Sequence, residues 1–470
     1  METDVYTGTL SLKNIEFTFV FDKQELRLIP PQDKKREVDL WFLSPLGNGI
    51  YTKGEAIYLE EPICSTKCNE CHQIVFLPCY HKSVGRINSV IVIDIQAYII
   101  QNIKGSGIKK ISFECPEINA IYSTRQAIET KRYSDGVFEI KTLKIDASNE
   151  EKHFLKVDGK DVDVYFDIMQ KTTQEVIKPP LSLQSCMCFR FEPTDNIDFI
   201  YKLHQIARCF VEYVCYRKDI FFEKMHIYTE ATDNVKMTFQ NGEFFVVGDK
   251  PQIDEQSIKD GRCIKHYYIA EAETTILNAI AENTLYMRHL PDSREAGQHI
   301  NAARFVMITA AFEWEFKKLY PSGLRRKDAS IKADETATQV LTTLISESKG
   351  KLKELYKSLL KNGIGFAPVQ AKMVQTGKDL DSIISPFGKY LCAINKKELN
   401  YSKMGERLAS QRNHYAHGDL DEDFIGDSLL DLIFLERILY AMQLKRFGVS
   451  DKNIQHSIND LFHCNIAIED

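Results

Sequence analysis

Arg412-Asn413-His414-Tyr415-Ala416-His417 places an arginine, an asparagine and two histidines in six consecutive positions, between Gln411 and a closing Gly418-Asp419. Arginine offers a permanently charged planar fork that fits phosphate oxygens. Imidazole gives or takes a proton near neutrality, since its unperturbed pKa is about 6.5. Gathered on one phosphodiester, such groups suffice to cut RNA without a metal. A base draws the proton from the ribose 2′-hydroxyl, that oxygen attacks phosphorus in line, and the leaving 5′-oxygen is protonated.

The spacing constrains how these groups meet. At about 100° per residue, Arg412 and His417 stand roughly 140° apart on a helix, whereas Asn413 and His417, four apart, share a face. Both ends of the pair reach one phosphate only if the last turn unwinds or a second copy of the helix faces the first. Gly418 suits a left-handed helix cap, and His417 then falls in the last turn, where the helix dipole favours a cation. A plainer reading stands beside this one, because arginine and histidine near a helix C-terminus also serve as capping residues. The bare spacing recurs as Arg294 with His299, and in a longer form as Arg407 with His414.

These residues need helices to position them, and the periodicity supplies them. Apolar positions recur with helical spacing over about 266–289, 294–319, 334–361, 367–393, 400–417 and 424–447, joined by short connections that argue an up-and-down bundle. The 412–417 cluster closes the penultimate long segment, and the acidic run at 419–423 reads as the N-terminal cap of the next.

The first half has a different period. Leu10, Leu12, Ile15, Phe17, Phe19 and Phe21 alternate with polar residues in the manner of half-buried strands, and further strands are expected at 89–100, 110–113 and 137–145. Asp158-Gly159 and Asn241-Gly242 each suit a type I′ hairpin turn. One helix interrupts, capped by Thr194 or Asp195 and running to about Tyr216, with Lys202, His204 and Arg208 on its solvent side. The chain therefore reads as a multidomain α+β protein: a β-rich region at 1–248, a linker at 249–265 within a polar stretch containing Pro251, and an all-α region at 266–470.

Composition frames the rest. With 470 residues, 44% hydrophobic and 27% charged, the chain has the makings of several soluble globular cores and shows no low complexity. A net charge of -6 means that any nucleic-acid site is a local patch. The start Met1-Glu2-Thr3-Asp4 does not resemble a secretory signal. The apolar runs 87–103 and 429–444 carry Asp94 and Asp431, Glu436 and Arg437, so no membrane span is expected. Twelve cysteines then fit a reducing cytoplasm.

Cys64, Cys68, Cys71 and Cys79, with His72 and His81 nearby, lie within an insertion at 64–81 and could furnish a four-thiolate structural zinc, although only one Cys-x-x-Cys is present. The alternative is that they are free thiols in the role of small apolar residues. Lys317, Lys318, Arg325, Arg326 and Lys327 around Tyr320 form the better basic cluster for an RNA backbone. Lys353, Lys357 and Lys361 form a stripe that Glu347 and Glu354 partly offset. Phosphate-loop, dinucleotide-glycine and His-Glu-x-x-His motifs are missing, which removes the usual ATPase, dehydrogenase and metalloprotease readings.

Arg412-Asn413-x-x-x-His417 resembles the Arg-x4-6-His signature of HEPN ribonuclease domains. The Tyr415-Ala416-His417-Gly418 surroundings are similar to the version in ApeA-type anti-phage proteins. The resemblance covers roughly the last 200 residues by motif and helix pattern, and the whole chain by layout. It implies a HEPN helical bundle and a metal-independent endoribonuclease that leaves 2′,3′-cyclic phosphate ends. His417 would transfer the proton, Arg412 would stabilise the phosphoryl charge, and Asn413 would orient the histidine or bind phosphate, with His414 and Tyr415 in support. It further implies a homodimer or larger assembly with a composite cleft, and RNA, including transfer RNA, as substrate. The implied role is bacterial abortive infection, with the N-terminal half sensing a phage-derived trigger. It makes Glu313 a supporting candidate from an earlier helix, although the local pattern alone reads Glu313 and Glu315 as surface carboxylates with Phe312 and Trp314 in the core. Two other readings stay open: a non-catalytic HEPN-like scaffold for dimerisation or nucleotide binding, and a zinc-dependent nucleic-acid binder built on Cys64 to Cys79.

Overall fold

A computed structural model describes residues 5–468 except 48–49, 70, 72, 103–106, 135, 144–151, 178, 231–237, 249–253, 326–327, 364–367 and 419–423. The chain is mixed α+β, with strands concentrated before residue 247 and helices after it. It divides into two compact units, one built on residues 1–212, 219–258 and 277–282, the other on 213–218, 259–276 and 283–470.

In the first unit the alternating residues form β1 (Tyr6–Leu12), β2 (Ile15–Phe21), β3 (Glu25–Ile29), β4 (Ile63–Cys68), β5 (Gln73–Pro78) and the long β6 (Val90–Gln101). They pair in the order β6-β3-β2-β1-β4-β5, and β5 pairs again with β6, which closes a six-stranded barrel. Phe17, Phe19, Phe21, Phe76 and Tyr98 fill it, and the rings of Phe19, Phe21, Phe76 and Tyr98 meet edge to face. From β6 a second sheet continues through β7 (Ile108–Glu114), β8 (His153–Val157), β9 (Lys160–Thr172), β10 (Leu181–Thr194), β11 (Lys224–Glu230) and β12 (Thr238–Val246), in the order β6-β12-β11-β7-β10-β9-β8. The helix α1 (Ile197–Cys215) buries Phe199 against Phe191 and Phe210 against Phe166 of this sheet.

Three expectations need correction in this unit. Asp158-Gly159 does turn β8 into β9 with both residues at positive φ, but Asn241-Gly242 makes no hairpin and lies inside the continuous strand β12. The glycine is there for contact, since a Cβ on Gly242 would fall 1.9 Å from the carbonyl oxygen of Ile100 where the β11–β12 register slips at a bulge. The cap of α1 comes from Asn196, whose side chain accepts the Phe199 N–H, rather than from Thr194 or Asp195. His204, expected toward solvent, is buried among Phe113, Phe222 and Phe244, and desolvation pulls its pKa down to about 3.

The second unit is helical. Its long elements are α2 (Ala302–Leu319), α3 (Asp328–Glu347), α4 (Gly350–Gly363), α5 (Val369–Asp379), α6 (Asp381–Ile394), α7 (Tyr401–Ala416), α8 (Ser428–Phe447) and α9 (Asp451–Leu461). The expected segments at 400–417 and 424–447 emerge as α7 and α8. The others divide. The segment at 334–361 becomes α3 and α4 because Gly350 takes a positive φ, that at 367–393 breaks at Leu380, and that at 294–319 breaks where Asn301 caps α2. The segment at 266–289 shortens to pieces ending at Ala281. Short helix Glu255–Lys259 falls inside the expected linker, whose residues 249–253 lie outside the described ones. The central helix α8 buries Leu432, Leu435, Ile438 and Leu439 among α2, α6 and α7. Among the described residues no helix is long and apolar enough to cross a membrane.

Candidate active site

The helix α7 buries Met404, Leu408, Gln411 and Tyr415, a 4-3-4 spacing that fixes which residues face outward. Tyr415 is held by an edge-to-face contact with Phe305, and the Gln411 side chain accepts hydrogen bonds from the Ile425 N–H and the Ser428 hydroxyl. Tyr415 therefore anchors the helix end in the core. With that face pinned, Arg412 is half-buried, His414 is half-buried, and Asn413 and His417 are exposed. His417 is the C-cap, its backbone N–H bonded to the Asn413 carbonyl, and Gly418 follows at φ 98, as expected for a left-handed cap.

Arg412 reaches across to α2, where its guanidinium donates to the carboxylate of Glu313. The other oxygen of Glu313 accepts from the Lys372 ammonium of α5 at 2.6 Å, and Lys372 is only 8% exposed. One carboxylate thus serves two cations. Burial pushes the Glu313 carboxyl up, but the hydrogen bond and charge of Lys372, together with Arg412, outweigh it and hold the carboxyl below its ordinary value. The close approach that lets Lys372 take part depends on Gly405 of α7, where a Cβ would lie 2.5 Å from Cα of Gln370 on α5. Glu313 is therefore drawn into the site and is no plain surface carboxylate.

Its neighbours invert the sequence reading. Glu315, expected at the surface, is fully buried and paired with Arg446 of α8, and Trp314, expected in the core, is 42% exposed. Phe312 is buried as expected. The exposed Lys318 lies 5.5 Å over the Trp314 ring, with exposed Lys317 beside it. This gives α2 an outward edge of one aromatic ring and two cations next to Glu313. Arg325 donates from both terminal nitrogens of its guanidinium to Asp379 at 2.9 Å, while Arg326 and Lys327 lie outside the described residues, as do the acidic positions 419–423. The longer signature Arg407 with His414 is structural at its arginine end, because Arg407 forms a fork on Asp431 at 2.6 and 2.7 Å.

The chain matches no family model, no curated protein and no solved structure.

At the cysteine insertion, Cys68 and Cys71 stand 3.1 Å apart through their sulfurs. Cys64 does not join them. Its strand β4 pairs Leu10 with Ser65 but Gly8 with Cys68, so a bulge turns Cys68 to the face of Ser65 and leaves Cys64 on the other, exposed face. Among the described residues no set of three ligand atoms gathers at this insertion, whereas a tetrahedral thiolate site needs four sulfurs about 3.8 Å apart around one centre. The described thiols do not fit the four-thiolate zinc set of Cys64, Cys68, Cys71 and Cys79, and His72 lies outside the described residues.

Sequence reasoning missed Lys372 and Trp314. No local pattern marks Lys372, which acts through a partner 59 positions away.

Proposed function

We propose that the chain is a metal-independent endoribonuclease of the HEPN kind, with Arg412 and His417 as its catalytic pair. One observation carries the reading: Arg412 gives one guanidinium nitrogen to a carboxylate that Lys372 shares, whereas Arg407, equally exposed, gives two to Asp431. Arg412 sits half-buried at a helix end, oriented by a carboxylate that Lys372 holds from behind, and an exposed histidine follows one turn later. A guanidinium fixed in this way, with 33% of its side chain exposed, can meet the charge that develops on phosphoryl oxygens without paying for its own reorganisation. His417, at the free cap, is reachable by an RNA 2′-hydroxyl and by the leaving 5′-oxygen. Asn413, one helical turn before it on the same face, binds phosphate or fixes the imidazole.

Because Arg412 turns toward α2 while His417 points outward from the cap, the two side chains of one chain serve different sides of the helix. Two copies of α7 facing each other supply both groups to one linkage. Trp314 offers a ring for an unstacked base, and Lys317 and Lys318 attract the backbone. The substrate is then a single-stranded loop or end, of which a transfer-RNA anticodon loop is one case. The role in phage defence and the sensing role of the first unit rest on the resemblance of the signature and layout.

The test is incubation of purified protein with total RNA in EDTA, followed by analysis of the fragment ends. Cyclic phosphate ends, lost in Arg412→Ala and in His417→Ala, support the assignment. Equal cleavage by both variants rejects it, and RNA binding without any cleavage favours the scaffold reading instead.

A further inference from the structure

Cys186 and Cys188 stand two apart on β10, so their side chains leave the same face of the sheet. Phe189 and Phe191 leave the other, where Phe191 meets Phe199 of α1. The two thiols are therefore turned away from α1, fully buried, with their sulfurs 3.6 Å apart. Register fills in their surroundings. Cys188 lies between Ser112 of β7 and Tyr165 of β9, and Cys186 lies opposite Asp167 of β9, whose backbone carbonyl accepts from the Cys186 thiol. Met169, two positions beyond Asp167 on the same face, is half-buried and packs against the cluster of Tyr165, Cys186 and Cys188. The Tyr228 hydroxyl of β11 donates to its sulfur at 3.9 Å.

A cation shares this corner. Lys110 of β7 is paired with Tyr228 on one side and Arg190 on the other, two residues along the same face from Ser112 and Cys188. Its ammonium lies 4.6 Å from the centre of the Tyr228 ring and 5.6 Å from that of Tyr165, within electrostatic reach of both thiols. Aromatic faces attract an ammonium but leave its charge in place. Exposed Arg190 has Asp163 opposite it on β9, whereas among the described residues no carboxylate forms an ion pair with Lys110.

The donors at hand are all sulfur: two thiols and a thioether. Among the described residues no imidazole or carboxylate comes within 4.8 Å of both thiol sulfurs, which withholds the ligands that complete a four-coordinate zinc site. Thiolates and thioethers select Cu(I). Charge makes the same choice. Two thiolates around a divalent ion sum to zero and leave Lys110 without counter-charge, whereas around a monovalent ion they sum to one negative charge, which Lys110 balances. We propose that Cys186, Cys188 and Met169 form a site for a soft monovalent cation, Cu(I), with Lys110 as the compensating charge. The ion bonds to two thiolate sulfurs, the two thiol protons pass to solvent, and the Asp167 carbonyl gives up the bond it accepts from Cys186. Half-buried Met169 is the outermost ligand, and its unbranched, polarisable side chain meets the ion first and hands it inward. The site lies in the first unit, on residues apart from those at 64–79, and does not depend on the ribonuclease reading.

The test is an anaerobic titration of the full chain with Cu(I) buffered by a coloured chelator, in a Cys68→Ser, Cys71→Ser background that silences the other close pair of sulfurs. The chain is expected to withdraw one ion, and Cys186→Ser with Cys188→Ser to abolish that uptake. Met169→Leu, which keeps the volume, and Lys110→Met, which removes the charge, should each weaken binding by about tenfold or more. Thermal melts of the metal-free proteins establish that each variant is folded, and the Met169→Leu arm decides where the double cysteine variant is not. Because protons are displaced, affinity should fall as the pH is lowered. X-ray absorption should show a first shell of sulfur alone. No uptake, uptake that survives loss of both cysteines, binding indifferent to Met169→Leu and Lys110→Met, nitrogen or oxygen in the first shell, or zinc held as tightly each overturn the proposal. RNA cleavage enters none of these readouts, so the two proposals fail separately.

Discussion

Replacing Glu313 by Gln tests whether the carboxylate shared by Lys372 and Arg412 holds the site together. The perturbation keeps the shape and removes the charge. An exposed ion pair contributes about 0–1 kcal/mol, and breaking one member of a buried pair costs about 3–5 kcal/mol. With side-chain exposures of 10% for Lys372 and 25% for Glu313, this network lies between those limits, and the substitution should cost about 2 kcal/mol. For a unit of this size that is a fall of roughly 4–8 °C in melting temperature at pH 7. The pH dependence makes the test specific. Lys372 and Arg412 hold the folded-state carboxyl below its ordinary value of 4.5, despite the opposing effect of burial. A depressed acid stabilises the fold fully above its unfolded-state pKa and loses that contribution as pH falls through the folded-state value. Urea denaturation followed by helical circular dichroism should therefore show the full difference between wild type and Glu313→Gln at pH 7 and pH 6, shrinking once the pH drops below about 4.5. A difference that is the same at every pH, or none at pH 7, would refute the idea that a charged Glu313 braces the two cations.

Other outcomes follow from the same geometry. Arg412→Ala and His417→Ala should each lower RNA cleavage by about 10²–10⁴-fold, yet only the arginine change should cost measurable stability, since exposed His417 sits at a cap and its loss should stay within about 0.5 kcal/mol; paired cleavage and melting assays check both. His204 in the first unit and His289 in the second are buried, and desolvation drives the pKa of each down to about 3. The unfolded chain takes up a proton below about pH 6.5 that the folded histidine refuses, so stability is lost as pH falls, by about 1.4 kcal/mol per unit per histidine, or about 2 kcal/mol between pH 7 and pH 5. Urea melts at the two pH values should show this loss, and His289→Gln should flatten it for the helical unit. In native maleimide labelling, exposed Cys64 should react first and buried Cys115 and Cys188 only on unfolding. Joint protection of Cys64, Cys68, Cys71 and Cys79, released by a chelator, would instead reveal a thiolate metal site.

What was legible in the sequence is what local spacing controls. The alternation from Leu10 to Phe21 is a property of neighbours two apart, and it yields β1 and β2. The apolar rhythm of α7 is likewise local, and so is the glycine that closes it, which is why His417 and Gly418 stand where expected. The failures share a cause. Asn241-Gly242 has the composition of a turn, but the deciding contact is the carbonyl of Ile100, some 140 positions earlier in the chain. Glu315 looks like a surface carboxylate until Arg446, 131 positions away, comes to pair with it, and Trp314 takes the outward position on the same turn of α2. The continuous rhythm from 334 to 361 hides the break at Gly350, because two antiparallel amphipathic helices present the same periodicity as one long helix.

The same reasoning explains why the candidate site was only half visible. The residues of its signature lie together in one helix end and can be read as a string. The groups that fix them, Glu313 and Lys372, are 99 and 40 positions from Arg412 in the chain and converge only because α2, α5 and α7 pack together, with Gly405 thin enough to let α5 approach. A signature of two residues is therefore cheap to write and weak as a predictor. The second arginine of this helix shows the difference, since Arg407 has an equal claim by residue type and is spent on Asp431. Packing decides which arginine stays available: α7 turns Arg407 toward a carboxylate of α8 that takes both arms of its fork, and Arg412 toward one that Lys372 already half-satisfies. A carboxylate shared in this way holds Arg412 in direction and leaves the three groups with one net positive charge.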